Sequence, residues 1–244
     1  MSRDAVDFGA FCFAGSAPVV ESLSRSDLSW VCLDAQHGRW DDASVLAALD
    51  LLAHSRGDTA RVFVRPRSAA PDLIGRALDA GAAGVIVPLI DSTEQAREVV
   101  DAARFPPVGR RSFGPIRAPF GDEGDLGAAN EGVCVAVMIE TATALEQVES
   151  IAAVRGVDML FVGPYDLSLA LGLTVDELLE DRSSHAPLPR IAAAARSAGI
   201  RFGGFAGNAQ RARSFIAHGA DFVSIVSDLD AGVIGVDAVL TQVR

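Results

Sequence analysis

Four short stretches place reactive side chains directly after apolar runs. "WVCLDAQHG" ends in Asp34, Gln36 and His37, "RVFVRP" in Arg65, "VAVMIET" in Glu140 and "LFVGPYD" in Asp166. Histidine titrates nearer neutrality than any other side chain, so His37 suits a general base, with Asp34 holding its ring in one tautomer. A surface-loop histidine is the plainer alternative for His37. Arg65, stiffened by Pro66, suits a bidentate grip on a substrate carboxylate, or else a structural ion pair. Two carboxylates brought together repel unless a cation sits between them. Glu140 and Asp166 therefore suit a hard divalent ion, Mg²⁺ or Mn²⁺, with coordination positions left for water and substrate. Both also open helical patterns, "ETATAL" and "DLSLAL", where a carboxylate serves equally well as a cap. His54 and His218 fall in helical stretches and His185 in a polar loop, and we assign them no role.

These residues need a scaffold that brings their strand ends together. A phrase recurs: a helical stretch, a glycine, a short apolar run, a polar residue. It appears as "DAGAAGVIVPL", "VRGVDMLFVGPYDL" and "HGADFVSIVSDL", with Gly81, Gly156 and Gly219 suited to helix C-caps. Strands are expected at 9–13, 29–34, 61–64, 84–88, 133–139, 158–162, 201–205 and 221–226. Helix-period segments such as "DDASVLAALDLLAH" and "STEQAREVVDAA" lie between most of them. Alternation of this kind means a parallel sheet, and eight units in 244 residues predict a single (β/α)₈ barrel domain over 1–244. An open doubly wound sheet would carry a glycine-rich fingerprint at its first turn, which "AFCFAGSAP" lacks.

In a barrel the residues after the strands share one face. Adjacent parallel strands lie about 4.8 Å apart, so Glu140 and Asp166 can reach one ion. Two connections are long, 105–131 and 171–185, and the first is expected to be an active-site loop. "FGGFAGNAQRA" reads as tight packing at the barrel mouth, with a phosphate cradle as the alternative.

Composition removes whole classes of function. All 21 basic residues are arginine, so a lysine Schiff base, to a ketone or to pyridoxal phosphate, is excluded. A net charge of −11 argues against nucleic acid and anionic membranes as partners. No apolar run approaches a membrane span, and "MSRDAVDFGA" lacks the features of a signal peptide. Cys12, Cys32 and Cys134 each sit in an apolar stretch, as reduced core residues of a cytoplasmic protein do.

Taken in order, "LDAQHG", "FVRP", "ALDAGAAGVIVPLIDSTEQA", "FPPVGRRSFGPIRA", "MIETATALEQVESI" and "GVDMLFVGPYDLSLALG" resemble the HpcH/HpaI aldolase family, the metal-dependent pyruvate aldolases, over nearly the whole chain. The resemblance implies a (β/α)₈ barrel whose last helix packs on a neighbouring subunit, in a homo-oligomer that is often a hexamer. It implies reversible cleavage of 4-hydroxy-2-oxo acids to pyruvate and an aldehyde, with Mg²⁺ or Mn²⁺ as cofactor and Co²⁺ or Zn²⁺ as substitutes. By position, Glu140 and Asp166 bind the metal, His37 paired with Asp34 is the base, and Arg65 steadies pyruvate. The "GPYD" turn, Gly163, Pro164 and Tyr165, borders the substrate and offers backbone N–H groups from Gly163 and Tyr165. Asp79 matches a position credited with tuning the histidine. On sequence alone Asp79, in the last turn of its helix, reads as a surface acid paired with an arginine; since that helix runs away from the catalytic face, Asp79 can serve the chemistry only in the site of an adjacent subunit. The chain departs from the family at Met138, where some members carry glutamine, at Gln36, where an acid is common, and at Tyr165, where alanine is common. Rival readings are a phosphosugar isomerase or epimerase, an acyl-CoA lyase of a related barrel, and an idle barrel that only binds.

Overall fold

The computed structural model describes residues 5–54, 60–114 and 126–244. Among the described residues, eight parallel strands close into a barrel in chain order. They are β1 (Asp7–Cys12), β2 (Trp30–Asp34), β3 (Arg61–Arg65), β4 (Gly84–Val87), β5 (Cys134–Ile139), β6 (Met159–Val162), β7 (Arg201–Phe205) and β8 (Phe222–Ser227). Every expected strand is present, with ends shifted by no more than two residues. Helices separate them on the outside, including Asp42–His54 and Thr93–Ala103 where the sequence pattern placed them. Gly81 and Gly219 follow helix ends with φ of 95° and 93°, a backbone region that side chains with a Cβ avoid.

The strands are apolar throughout because both faces are covered. Val31, Leu33, Val62, Val64, Val135 and Val137 pack outward among the helices. The alternate residues Phe11, Trp30, Phe63, Met138, Phe161 and Phe222 fill the barrel interior. Trp30 stacks on Phe222 with ring centroids 4.0 Å apart. Gly9 is what admits the indole, since a Cβ there would lie 2.1 Å from its ring carbons. Truncating a buried ring of this kind to alanine costs about 3–5 kcal/mol, so the aromatic plug is a principal source of the barrel's stability. It also forms the floor of everything above it.

The described parts of the connection 105–131 lie away from their own barrel's strand exits. It follows the helix Thr93–Ala103, and barrel helices return the chain to the N-terminal ends of the strands. Its described parts stay at that rim. Arg104 donates to the carbonyl of Val133 at 2.8 Å and to Asp158, just before β6, at 2.7 Å. Arg110 pairs with Asp101 at 3.0 Å and Arg111 with Asp79 at 2.7 Å. The stretch Leu126–Gly132 is helical and leads into β5. Residues 115–125 of this expected loop lie outside the described residues.

The last helix, Asp228–Val243, leaves the barrel wall, and Asp228 is its one buried residue. Leu229, Val233, Ile234, Val236, Val239 and Val243 are all more than half exposed. Among the described residues no helix is long and apolar enough to cross a membrane.

Candidate active site

Side chains on a strand repeat every two residues. The inward line therefore runs from the core straight to the rim: Trp30, Cys32, Asp34 on β2; Phe63, Arg65 on β3; Ala136 and Met138 on β5, then Glu140 just past its end; Phe161 on β6, then Gly163 just past its end. Above the aromatic floor these lines open into a cavity of about 390 Å³, whose polar members are His37, Arg65, Glu140, Asp166 and Tyr165. That volume is in the usual range for a small-molecule site.

Asp34 is fully buried and makes four contacts. Its Oδ1 accepts from Arg65 Nε at 2.9 Å and from the amides of Gln36 at 3.0 Å and His37 at 3.2 Å. Its Oδ2 pairs with Arg65 Nη2. The expected bond from Asp34 to the His37 ring is absent. The guanidinium and two amides saturate the carboxylate, so it fixes the backbone of the His37 loop and not the ring's tautomer. Burial alone would favour neutral Arg65, but the paired Asp34 outweighs it and raises the pKa. Arg65 is thus both an ion-pair partner and a cavity residue, with Nη1 lying 4.0 Å from Met138 Sδ.

Glu140 is 2% exposed. Its Oε1 accepts the amide of Leu89 at 2.7 Å. Leu89 holds a left-handed φ of 58°, a costly conformation for a branched residue, and this aims its N–H at the carboxylate. Burial, with the nearby Asp166 charge adding to it, pushes Glu140 up to about 7. Neither carboxylate is a helix cap. Thr141 caps Ala142–Glu146 by accepting from the amide of Ala144, and the helix Pro164–Leu171 starts from Gly163 with no side-chain cap. What remains is two carboxylates at one cavity, one of them disfavoured as an anion when alone. That donor set fits a hard divalent ion, which removes both penalties. The fit depends on Gly163, where a Cβ would lie 2.4 Å from Glu140 Oε2.

On the opposite wall the sequence pointed to Tyr165 but not to its two neighbours. Phe13, just past β1, and Phe205, the last residue of β7, line the cavity together with Tyr165. Asp228 Oδ1 and Oδ2 accept the amides of Phe13 at 2.8 Å and Ala14 at 2.9 Å, tying the β1 end to the last helix. The strand-end rule that found Arg65 also points to Phe13 and Phe205, but an apolar side chain carried no chemical signal.

Asp79 ends the helix Pro71–Asp79 at the N-terminal rim, paired with Arg111 and away from its own barrel's cavity. The glycines of "FGGFAGN" are packing residues, since a Cβ on Gly203 would lie 2.4 Å from the Phe222 carbonyl and one on Gly204 2.3 Å from the Phe215 ring. The amides of Ala206 and Gly207 both donate to the Ser224 carbonyl, leaving no phosphate cradle there. His218 bonds the Leu179 carbonyl through Nε2 at 2.9 Å, and His54 bonds the Asp50 carbonyl. Cys12 and Cys32 are buried, and burial raises both thiols.

Comparison with known sequences agrees with this geometry. The profile of the HpcH/HpaI aldolase/citrate lyase family matches residues 8–233. The chain belongs to this family. A hydroxypyruvate/pyruvate aldolase of Rhizorhabdus wittichii is 37% identical over 210 residues, covering 86% of this chain and 82% of that protein. A 2-keto-3-deoxy-L-rhamnonate aldolase of Klebsiella pneumoniae is 32% identical over 232 residues, covering 93% and 84%. The crystal structure of a family protein from Burkholderia cenocepacia superposes with a TM-score of 0.88 at 32% identity, over 99% of this chain and 96% of that one. The fold and the aldolase class expected from the motifs are both borne out.

Proposed function

We propose that this aldolase cleaves 4-hydroxy-2-oxo acids reversibly to pyruvate and an aldehyde, with Glu140 and Asp166 holding the divalent metal that the class requires. The observation that carries the reading is the grouping of Glu140, Asp166, Arg65 and His37 around one cavity. When bound, the cation supplies Lewis-acid stabilisation for negative charge developing on the 2-oxo oxygen. Arg65, kept charged and rigid by Asp34, orients the oxo acid from the β3 side. The helix Pro164–Leu171 adds N–H groups without intrahelical partners at its start, including that of Tyr165, for the carboxylate. His37 takes the proton of the 4-hydroxyl as the carbon–carbon bond breaks, and returns one in the direction of synthesis. Met138 borders the substrate with an apolar side chain beside Arg65.

Chelation is expected to abolish pyruvate release, and Mg²⁺ or Mn²⁺ to restore it. Borohydride with pyruvate should trap no adduct, there being no lysine. Because Glu140 must shed its proton to bind a cation, affinity should weaken as pH falls below about 7. Full activity after thorough demetallation would exclude the reading.

We take the protein to be a homo-oligomer of the cytoplasm, and the exposed apolar side chains of the last helix support the assembly. A helix that exposes this many large apolar side chains is normally covered, and we take the cover to be a neighbouring subunit, in a hexamer. The N-terminal rim bearing Asp79 and Arg111 would then meet the neighbour's site. If Asp79 acts there, Asp79→Asn and Glu140→Gln are each impaired alone, yet co-refolded mixtures recover activity well above the parents' average. Mixed oligomers that stay at that average would place Asp79 outside the chemistry.

A further inference from the structure

The cavity has two unlike halves. His37, Arg65, Glu140 and Asp166 come from the ends of β2, β3 and β5 and from the start of the helix after β6. The other half comes from the ends of β1 and β7 and from Tyr165. There the rings form a continuous wall: Phe13 meets Phe205 edge-on at 6.5 Å between centroids, Tyr165 lies 6.1 Å from Phe205, and Phe11 beneath is 5.2 Å from Phe205. Among the side chains of Phe13, Phe205, Phe11 and Tyr165 the one polar atom is the Tyr165 hydroxyl, which accepts from Arg211 Nη1 at 2.8 Å. Arg211 in turn donates to Asp176 at 3.0 Å and stacks over the Tyr165 ring at 5.6 Å, so it is committed from both sides.

The His37 loop stands between the halves. The amide of Arg39 donates to the Phe13 carbonyl at 2.9 Å, and Gly38 is packed so closely that a Cβ would lie 3.0 Å from Phe13 Cα. A base at this seam divides the substrate at its 4-carbon. The oxo-acid part lies toward the carboxylates and Arg65, and whatever the aldehyde carries lies toward the rings.

We infer that the aldehyde subsite is this aromatic wall, and that the enzyme prefers aldehydes with an aromatic substituent over polyhydroxylated ones. The inference rests on the pyruvate aldolase reading above and adds the class of the second product. An aryl group stacks edge-on or offset against Phe13, Phe205 and Tyr165. The hydroxyls of a sugar-like aldehyde would lose water there with almost nothing to replace it. The reaction balances without a further reactant. His37 accepts the 4-hydroxyl proton, the C3–C4 pair moves onto C3 to give the pyruvate enolate, the C4–O bond becomes the aldehyde carbonyl, and the enolate is protonated at C3.

The test compares two purified substrates with Mn²⁺ and coupled pyruvate detection: the aldol of pyruvate with benzaldehyde and that with glycolaldehyde. A kcat/KM at least about tenfold higher for the benzaldehyde adduct is expected, the scale on which apolar pockets discriminate. Phe13→Asn and Phe205→Asn should each lower that ratio about tenfold or more. Phe205→Leu, which keeps the bulk that packs on Phe11, should lower it less. Exchange of the pyruvate methyl protons in D₂O, dependent on Mn²⁺, is followed alongside because it needs no aldehyde. Exchange without aryl preference, or a ratio unmoved in all three variants, overturns the aromatic subsite and leaves the aldolase reading standing. Absence of both exchange and cleavage overturns the two together.

Discussion

Gly163→Ala is expected to weaken Mn²⁺ affinity by about 10–100-fold, the range seen when a group that orients a metal ligand is disturbed. The backbone itself accepts alanine, with φ −91° and ψ 91°. The damage is local: the new methyl would lie 2.4 Å from Glu140 Oε2, 2.9 Å from Met138 Cε and 3.0 Å from Glu140 Cβ. Glu140 is held by the strand on one side and by the Leu89 amide on the other. It can escape only by turning its carboxylate away from Asp166. Calorimetric titration of the variant with Mn²⁺ reads the loss, and circular dichroism and the thermal midpoint show whether the barrel persists. Turnover should recover in part at saturating Mn²⁺. A folded variant that binds Mn²⁺ as the parent does would show that Glu140 is not a ligand.

The same residue shows how a site can be read from a sequence and where such reading stops. The period-two alternation that hides Trp30, Met138 and Phe161 in the core also delivers Asp34, Glu140 and Gly163 to the rim. Once the strands are placed, the polar half of the cavity follows without coordinates. The strands themselves were legible because parallel barrel strands are apolar on both faces. Three things were not legible. Leu89 contributes through its amide and an unusual φ, and nothing in a leucine announces either. Phe13 and Phe205 occupy strand ends like Arg65, but an aromatic ring next to a core looks like more core. The partner of Asp34 was misassigned because proximity in sequence favoured His37, whereas the parallel pairing of β2 with β3 sets Asp34 directly beside Arg65. The described ends of the connection 105–131 lie at the rim opposite the cavity of their own barrel, beside Asp79 and Asp101.

His37→Ala should lower kcat by about 10²–10⁴-fold, the usual contribution of a positioned general base, while Mn²⁺ affinity stays close to that of the parent. The variant is a clean deletion because the loop does not depend on the imidazole. Asp34 Oδ1 holds the amides of residues 36 and 37, the Asp34 carbonyl accepts from Gly38 at 3.0 Å, and the Phe13 carbonyl accepts from Arg39. Each of these bonds is made by backbone that alanine leaves in place. Gly38 further fixes the path, since a Cβ there would meet the Asp34 carbonyl at 2.2 Å. What is lost is then the proton acceptor alone. Added imidazole should recover part of the rate by diffusing into the space left in the cavity, and an acetate buffer of the same strength should recover less. Mn²⁺-dependent exchange of the pyruvate methyl protons separates the steps further. If His37 serves the 4-hydroxyl, cleavage falls more than exchange does, because exchange involves no hydroxyl at that carbon. Equal losses in both would assign His37 to proton transfer at C3. A variant that loses Mn²⁺ with little other effect would make His37 a metal ligand and remove the base from the mechanism.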